Sequence, residues 1–436
     1  MMKKRDYRPK IHFSPEEGWM NDPNGMVYVD GVYHFFYQKY PYDTSWGPMH
    51  WGHATSRDLI HWEHQPIALY PDELGFIFSG SAVYDTQNSS EYGTNENPPI
   101  IAIYTSHHKD GLEQQSIAYS NDKGRHFEKS YLNPVIKNPG ISDFRDPKAF
   151  WNPVRRCWSL VLAAQDRVFF YASQDMKNWE KTGEFGPEGN HAKGVWECPD
   201  LFEIDGQQIM TCCPQGVDQK GYDYQNVYQC GYFPVEFDLK NKSYSFGKFQ
   251  EFDKGFDIYA TQTFADEAGR RILIGWMGIP DADYDNDATV AYDWIHALTM
   301  PRELEWKDGK ILQHPLKEMK DLRKNAFTCE LEAFTKWAPA DCCFELRLDV
   351  EEAKNLELKL REDVTISWKD GLFTLSMGES GRGRKQRFAK VEELSDITIF
   401  SDTSAIEIFI NNGETVLTTR VYSEHLEQKV ELVSRE

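Results

Sequence analysis

The segment that decides the fold is Ser56-Arg-Asp58-Leu-Ile-His-Trp62-Glu63, because two similar segments follow it. These are Ser120-Asn-Asp122-Lys-Gly-Arg-His-Phe127-Glu128, with one extra residue, and Ser173-Gln-Asp175-Met-Lys-Asn-Trp179-Glu180. Each copy follows a strand-like run, namely 51–55, 115–119 and 168–172. Each therefore predicts a strand, a tight Asp turn and an aromatic side chain that packs on the next layer. The aspartates lie 64 and 53 residues apart, a period that fits the four-stranded blade of a β-propeller.

The rest of the chain also has strand patterns. Turn residues bound further strand-like runs at 25–29, 32–37, 100–105, 158–162 and 271–276. About 300 residues at this period predict roughly five blades. After residue 326 the alternation has period two, in 344–350, 356–360 and 406–410, and Asn411-Asn-Gly413 supplies a hairpin turn. The predicted fold class is all-β: a five-bladed β-propeller followed by a C-terminal β-sandwich.

Three regions are expected along the chain. Residues 1–311 are predicted to form the propeller and residues 326–436 the sandwich. Between them, the linker 312–325 has Leu316, Met319 and Leu322 at helical spacing, which predicts a short helix. The basic run 382–387 is expected to be a solvated turn.

Composition excludes several classes of partner and cofactor. With 48 Lys and Arg against 69 Asp and Glu, the net charge is −21, which disfavours binding to nucleic acid or to anionic membrane surfaces. No stretch of eighteen apolar residues and no apolar leader occurs in the sequence, so we expect a cytoplasmic protein. The eight cysteines are scattered without a CxxC pair, which predicts free thiols and no metal site. No cofactor is expected, and the sequence leaves the oligomeric state open.

Three acidic motifs are candidates for chemistry. They are Trp19-Met-Asn-Asp22-Pro-Asn-Gly25, Phe144-Arg-Asp146-Pro147 and Trp196-Glu197-Cys-Pro-Asp200. Their acidic residues lie 124 and 51 residues apart, close to two blades and then one. Equivalent positions of different blades meet at one end of a propeller axis, so Asp22, Asp146 and Glu197 are expected around one funnel.

Paired carboxylates in one pocket suit the hydrolysis of a glycosidic bond. One carboxylate stays ionised as the nucleophile, and another carries the proton for the leaving oxygen. Arg145, next to Asp146, offers a positive charge that keeps a carboxylate ionised. An isolated Asp-Pro is usually only a turn, and the argument therefore depends on all three motifs.

These motifs, together with Phe78-Ser-Gly-Ser81, resemble the signature blocks of glycoside hydrolase family 32, the invertase family. Three later blocks are also similar to this family: 255–262, 275–278 and 300–304. A further similar block, 402–411, lies in the second domain. The resemblance implies a five-bladed propeller with a β-sandwich and a retaining mechanism.

The resemblance also implies roles for individual residues. Asp22 would be the nucleophile, Glu197 the general acid and base, and Asp146 would hold fructose hydroxyls and stabilise the transition state. The fructose subsite is implied for seven further residues: Asn21, Gln38, Trp46, Phe78, Ser79, Arg145 and Trp276.

The expected activity is the hydrolysis of the terminal β-fructofuranosyl bond of a small sugar: sucrose, sucrose 6-phosphate or a short fructo-oligosaccharide. For His191 and Lys193 both a phosphate contact and a solvated loop stay open. The alternatives within the family are a fructan exohydrolase and a fructosyltransferase. A sialidase is an alternative because 120–127 resembles its Asp-box, although no matching arginine cluster is found. A non-catalytic carbohydrate-binding propeller is the last alternative.

Overall fold

A computed structural model of the chain describes residues 6–186, 194–238, 243–350, 354–425 and 429–435. Within these ranges the regular structure consists of strands and four short 3-10 helices, at Asp287–Tyr292, Lys317–Leu322, Leu331–Ala333 and Glu379–Gly381. The predicted all-β class is therefore confirmed.

The N-terminal part contains five sheets in the described residues. The first has β1 (Gly18–Val29), β2 (Val32–Tyr40), β3 (His50–Ser56) and β4 (Trp62–Leu69). The second has β5 (Phe76–Tyr84), β6 (Ile100–His107), β7 (Glu113–Ser120) and β8 (Glu128–Lys129). The third has β9 (Phe144–Asn152), β10 (Cys157–Ala164), β11 (Arg167–Ser173) and β12 (Glu180–Phe185). The fourth has β13 (Trp196–Ile204), β14 (Gln207–Pro214), β15 (Gly231–Asp238), β16 (Ser243–Phe246) and β17 (Gln250–Glu251). The fifth has β18 (Tyr259–Ala265), β19 (Arg271–Trp276), β21 (Arg302–Lys307) and β22 (Lys310–Pro315).

The five sheets form a closed ring, in which the first strands of neighbouring sheets contact each other. The first strands contact one another in the order β1, β5, β9, β13, β18 and again β1. Strand β20 (Trp294–Ile295) lies in the chain between β19 and β21 of the fifth sheet, and it pairs in parallel with β1. This pairing joins the last sheet to the first, and the domain is propeller-like, as expected.

The repeated segment forms the same turn in three sheets. Asp58 Oδ1 accepts the backbone N–H of His61 at 2.8 Å, Asp122 Oδ1 that of His126 at 2.9 Å, and Asp175 Oδ1 that of Asn178 at 2.8 Å. In the second copy the ring of Phe127 packs edge-on against Phe36 of the first sheet, with centroids 5.4 Å apart. In this copy the aromatic position therefore links two sheets.

The C-terminal part is a β-sandwich, as predicted. One sheet contains β23 (Lys336–Trp337), β25 (Asn355–Lys359), β26 (Val364–Lys369), β27 (Leu372–Met377), β28 (Gln386–Lys390) and β32 (Val430–Arg435). The other contains β24 (Phe344–Asp349), β29 (Asp396–Ser401), β30 (Ala405–Ile410) and β31 (Thr415–Arg420). Leu358 and Ile366 of one sheet share a core with Ile399 and Ile408 of the other. This core follows from the period-two alternation, which places apolar side chains on one face of each sheet.

The linker differs from the prediction in detail. Residues 312–315 belong to β22 and pair with β21, and Pro315 ends that strand. The helical spacing of Leu316, Met319 and Leu322 corresponds to the 3-10 helix Lys317–Leu322. The bounds at 311 and 326 stay a prediction, while the change of sheet lies between Pro315 and Lys336.

A buried ionic network joins the two domains. His12 contacts Asp402 Oδ2 through Nδ1 at 2.9 Å and Glu407 Oε1 through Nε2 at 3.0 Å. Arg302 of β21 pairs with Glu407 at 2.7 Å and with Asp253 at 3.2 Å. Burial opposes protonation of His12, but hydrogen bonds to Asp402 and Glu407 raise its pKa to about 9. Two of the blocks that resemble the family, 300–304 and 402–411, therefore meet at this interface.

One basic residue departs from expectation. The run 382–387 was expected to be solvated, but Arg384 is fully buried and forms a bidentate pair with Asp257, both bonds being 2.7 Å long. Arg384 therefore holds the sandwich against the segment before β18.

Candidate active site

A β-bulge occurs at the same level of all five first strands. The pairing shifts register between Met20 and Pro23 in β1, between Ile77 and Gly80 in β5, opposite Val161–Ala163 in β9, between Glu197 and Asp200 in β13, and between Tyr259 and Gln262 in β18. Three non-glycine residues in these bulges have left-handed backbones: Asp146 (φ 65°), Cys198 (φ 49°) and Ala260 (φ 50°). Bulges re-aim side chains, and these five bulges hold the site residues Asp22, Ser79, Asp146, Glu197 and Tyr259.

Asp22 lies in the bulge of β1 and is held by neighbours from two other sheets. Asn21 Nδ2 donates to its Oδ1 at 2.9 Å, and Ser79 Oγ donates to its Oδ2 at 2.5 Å. Cys198 Sγ also contacts Oδ2, at 3.7 Å. Burial raises the pKa of Asp22 to about 6, with the charge of Glu197 adding to this and the Ser79 hydrogen bond opposing it. At neutral pH Asp22 is therefore mostly ionised in a fixed orientation.

Asp146 lies in the bulge of β9 on the other side of the Cys198 thiol. Its Oδ2 accepts the Cys198 backbone N–H at 2.9 Å and lies 3.6 Å from Cys198 Sγ. Its own N–H donates to Thr105 Oγ1 at 3.0 Å. Burial raises the pKa of Asp146 to about 8; the Arg145 charge lowers it, while Glu197 and Asp22 raise it. Asp146 therefore keeps its proton to a higher pH than an ordinary aspartate.

Glu197 has donors on both carboxylate oxygens. Arg145 donates to Oε1 through Nε at 3.2 Å and Nη2 at 2.9 Å. Gln215 Nε2 and the Tyr259 hydroxyl donate to Oε2 at 3.0 and 2.6 Å. Four hydrogen bonds from three side chains fix the orientation of this carboxylate, as a group that transfers protons requires.

Arg145 forms ion pairs with three carboxylates, of which Glu197, at 2.9 Å, belongs to the site. Behind it, Asp143 accepts from Nη1 at 2.7 Å, and Glu113 accepts at 3.3 Å. Although burial acts against the charge, Glu197, Glu113 and Asp146 raise the pKa of Arg145 well above its usual value. Arg145 is therefore a fixed cation that balances the carboxylates.

Aromatic side chains form a wall next to Ser79. The Trp46 ring lies edge-on to the Phe78 ring, with centroids 6.1 Å apart. The Phe78 ring also stacks on the imidazole of His107, with centroids 4.1 Å apart. Trp46 is 52% exposed, so its ring is accessible to a ligand. Aromatic faces of this kind pack on the C–H faces of sugar rings.

Gln38 and Trp276, the remaining predicted subsite residues, are both buried. Gln38 Nε2 donates to the carbonyl of Ile77 at 2.9 Å and so fixes the strand that carries Phe78. The Trp276 ring packs edge-on against His296 at 5.1 Å, and Trp19 packs on the same imidazole at 4.4 Å. Trp276 Nε1 is buried without a hydrogen-bond partner among the described residues.

Sequence reasoning did not single out Gln215 or Tyr259, although both contact Glu197. Tyr259 begins the bulge of β18, the position that holds site residues in the other first strands. The signal was present in the sequence, because residues 255–262 resemble a family block without an assigned role. Gln215 directly follows β14 in the segment Pro214-Gln-Gly216, which resembles the bacterial intracellular branch of the family and was given no role in the site.

In the described part of the chain, no group of three or more His, Cys, Asp or Glu side chains is arranged to hold a metal ion. The helices described are all too short or too polar to cross a membrane.

Comparison with known protein families decides the classification. Residues 12–315 match the profile described as the glycosyl hydrolases family 32 N-terminal domain, and residues 316–436 match the family 32 C-terminal profile. The chain belongs to glycosyl hydrolases family 32. It is therefore a glycoside hydrolase, and the resemblance of its motifs to this family is confirmed.

Individual family 32 relatives align along nearly the whole chain. A levanase from Bacillus subtilis is 38% identical over 98% of this chain and 68% of its own length. A sucrose-6-phosphate hydrolase from the same organism is 33% identical over 95% of this chain and 89% of its own. Among solved structures, a Bombyx mori family 32 β-fructofuranosidase has 33% identity and a TM-score of 0.82, covering 98% of this chain and 91% of that one.

Proposed function

We propose that this family 32 enzyme is a retaining β-fructofuranosidase that hydrolyses the terminal β-fructosyl bond of sucrose or sucrose 6-phosphate. The observation that carries the proposal is that Asp22 contacts the Cys198 thiol at 3.7 Å, and Cys198 directly follows Glu197 in the bulge of β13. The carboxylate of Asp22 is held by neutral donors. The carboxylate of Glu197 is held by the cation of Arg145 and by two further donors, Gln215 and Tyr259. The relatives named sucrose-6-phosphate hydrolase and β-fructofuranosidase support the substrate class.

The proposed reaction has two displacement steps. Asp22 attacks the anomeric carbon of fructose and forms a covalent fructosyl intermediate, while Glu197 gives its proton to the departing glycosidic oxygen. Glu197 then takes a proton from water, which attacks the same carbon and releases β-fructose. This sequence requires the carboxyl groups of Asp22 and Glu197 to be roughly 5–5.5 Å apart.

The other predicted residues act on the fructose ring. Asp146 and Arg145 would hold fructose hydroxyls and stabilise the oxocarbenium-like transition state, with Asn21 and Ser79 orienting Asp22. Burial raises the pKa of Asp146 to about 8, with the charges of Glu197 and Asp22 adding to this and the Arg145 charge opposing it. As a carboxylate, Asp146 would accept hydrogen bonds from the fructose hydroxyls, while Arg145 would donate to the sugar.

The identity of the leaving group is tested by comparing turnover of sucrose, sucrose 6-phosphate and levan. We expect glucose or its phosphate to be released first, and faster turnover of either disaccharide than of levan. Faster turnover of levan would support a fructan exohydrolase, as the levanase relative suggests. Fructose transfer to sugar acceptors at high sucrose would support a fructosyltransferase. His191 and Lys193, candidates for contacting a phosphate, lie outside the described residues.

No cofactor or metal takes part in the proposed reaction, so a chelator should leave the rate unchanged. A cytoplasmic location is part of the proposal because all eight cysteines are free thiols in the structure, as is usual in a reducing compartment.

Replacing the proposed nucleophile tests the function itself. Asp22→Ala should abolish the release of fructose from sucrose while leaving the thermal unfolding transition cooperative. Ser89→Ala is a matched control, because Ser89 contacts Asp85 and Trp158 far from the three carboxylates. Activity of Asp22→Ala near that of the control would remove Asp22 from the mechanism.

A further inference from the structure

Two cysteine side chains meet below the candidate active site without being bonded. Cys213, near the end of β14, and Cys230, just before β15, have their sulfur atoms 3.4 Å apart. Both side chains are buried, and both are free thiols in the structure. The cysteine spacing in the sequence gave no hint of this pair.

The backbone places these two residues directly opposite each other. Strands β14 and β15 pair Cys212 with Gly231, and the same register continues to Gln215 and Tyr228. The Gln229 N–H donates to the Pro214 carbonyl at 3.0 Å, so that pair is the hydrogen-bonded one. Cys213 and Cys230 are therefore a non-hydrogen-bonded pair, in which Cα atoms are roughly 4.5 Å apart. That spacing lies within the range of about 4.4–6.8 Å found for disulfides.

A cross-link at this point would close the base of a loop next to Glu197. The segment between the cysteines, residues 214–229, carries Gln215, which donates to Glu197 Oε2 at 3.0 Å. It also carries Asn226, which donates to the Gly255 carbonyl at 3.0 Å. In the β13–β14 register Cys213 itself lies opposite Glu197. A disulfide between the two cysteines would therefore fix where this loop leaves the sheet.

Cys230 is the better placed of the two thiols to react first. Its sulfur lies 3.1 Å from Thr261 Oγ1. Burial opposes ionisation, but hydrogen bonds with Cys213 and Thr261 lower the pKa of the Cys230 thiol. A thiol with a lowered pKa is the usual point of attack on an oxidant.

We propose that Cys213 and Cys230 are a modification site at which a peroxide forms a reversible disulfide that anchors the loop 214–229. The Cys230 sulfur attacks one peroxide oxygen, the O–O bond breaks, and a sulfenic acid and one water form. The Cys213 sulfur then attacks the Cys230 sulfur, the S–O bond breaks, and the oxygen leaves as a second water with the Cys213 proton. The two thiols lose two electrons in total, and hydrogen peroxide is reduced to two molecules of water. A dithiol reverses the reaction by exchange.

The disulfide stabilises the loop rather than switching the enzyme off. The sulfur atoms need to approach only from 3.4 Å to about 2.0 Å, so Gln215 keeps its position on Glu197. We expect sucrose turnover by the oxidised enzyme to stay within about twofold, since the geometry is retained. Tryptic cleavage after the exposed Lys220 should be several-fold slower in the oxidised protein, because a cross-link restricts opening of the loop.

The test uses the full chain, treated with a small excess of hydrogen peroxide, alkylated without reduction and mapped by mass spectrometry. The expected result is one linkage between Cys213 and Cys230, which dithiothreitol removes. Cys213→Ser should abolish the linkage, and the matched variant Cys212→Ser should retain it, because Cys212 is the neighbouring buried cysteine in a different packing cluster.

Separate alkylation of Cys213 and Cys230 after oxidation would overturn the proposal. So would a linkage to Cys198 or Cys212, or oxidation of Cys230 to a sulfinic acid without a cross-link. The mapping needs no turnover and stays valid if the proposed activity is wrong. If Cys213→Ser fails to fold, the map of the wild-type protein still decides the question.

Discussion

Removing the hydroxyl of Tyr259 tests how Glu197 is held. In Tyr259→Phe, Oε2 of Glu197 loses its shortest hydrogen bond, at 2.6 Å, while Gln215 and Arg145 keep theirs. A hydrogen bond to a charged group is worth roughly 1.5–3 kcal/mol. Since each 1.36 kcal/mol corresponds to tenfold in rate, we expect kcat for sucrose to fall by roughly 10- to 100-fold. KM should change little, because Tyr259 contacts Glu197 and is not one of the fructose-binding residues.

The leaving group distinguishes this positioning role from a general loss of structure. Fluoride departs without a proton from Glu197, so turnover of β-fructofuranosyl fluoride should fall much less than turnover of sucrose. Tyr232→Phe is the control, because it also removes a buried tyrosine hydroxyl, which contacts Gln250 and the Ile311 N–H. An equal loss on both substrates, or no loss on sucrose, would refute the reasoning.

Three further predictions concern pH and buried charges. Since Asp22 must be ionised and burial raises its pKa to about 6, kcat/KM for sucrose should fall below about pH 6; a flat profile down to pH 4.5 would contradict this. Burial raises the pKa of Asp146 to about 8, so the unfolded chain releases this proton at a lower pH than the folded protein does. The stability contributed by protonated Asp146 is therefore fully present below the unfolded pKa and is lost as the pH rises through 8. Asp146→Asn should therefore raise the unfolding midpoint more at pH 8.5 than at pH 5 and abolish activity, and an equal shift at both pH values would count against it. Despite burial, hydrogen bonds raise the pKa of His12 to about 9, so protonated His12 contributes about 3 kcal/mol of folding stability, which is fully present below pH 6.5 and is lost as the pH rises through 9. In urea unfolding, the free-energy difference between the wild type and His12→Gln should therefore shrink over this pH range, and parallel pH profiles of the two proteins would exclude it.

The fold could be predicted from the sequence where its signals are local. Asp58, Asp122 and Asp175 each accept hydrogen bonds within the next four residues, so the repeat predicts its turn without any distant contact. The alternation in 406–410 likewise needs only the period of a strand. The linker was less accurate because its predicted start, residues 312–315, pairs with β21 as part of β22, and such pairing is not visible in the periodicity.

The candidate site could be predicted only in part. The spacing of Asp22, Asp146 and Glu197 was enough to expect them around one axis, but not to expect the thiol of Cys198 between Asp22 and Asp146. The ring of bulges was not visible, since a bulge depends on the register with a partner strand. Tyr259 lies in the similar block 255–262, but its place in the bulge of β18 next to Glu197 was not visible. The buried pair of Arg384 and Asp257 was also missed, because its two members are distant in sequence.

The most direct test of the account is to identify which side chain carries the sugar during turnover. Sucrose mixed with the enzyme and quenched in acid within milliseconds should leave a fructosyl ester on the peptide that contains Asp22, and Glu197→Gln should change how much accumulates without moving it. A fructosyl group found on a different side chain, or direct release of α-fructose without any covalent adduct, would contradict the account.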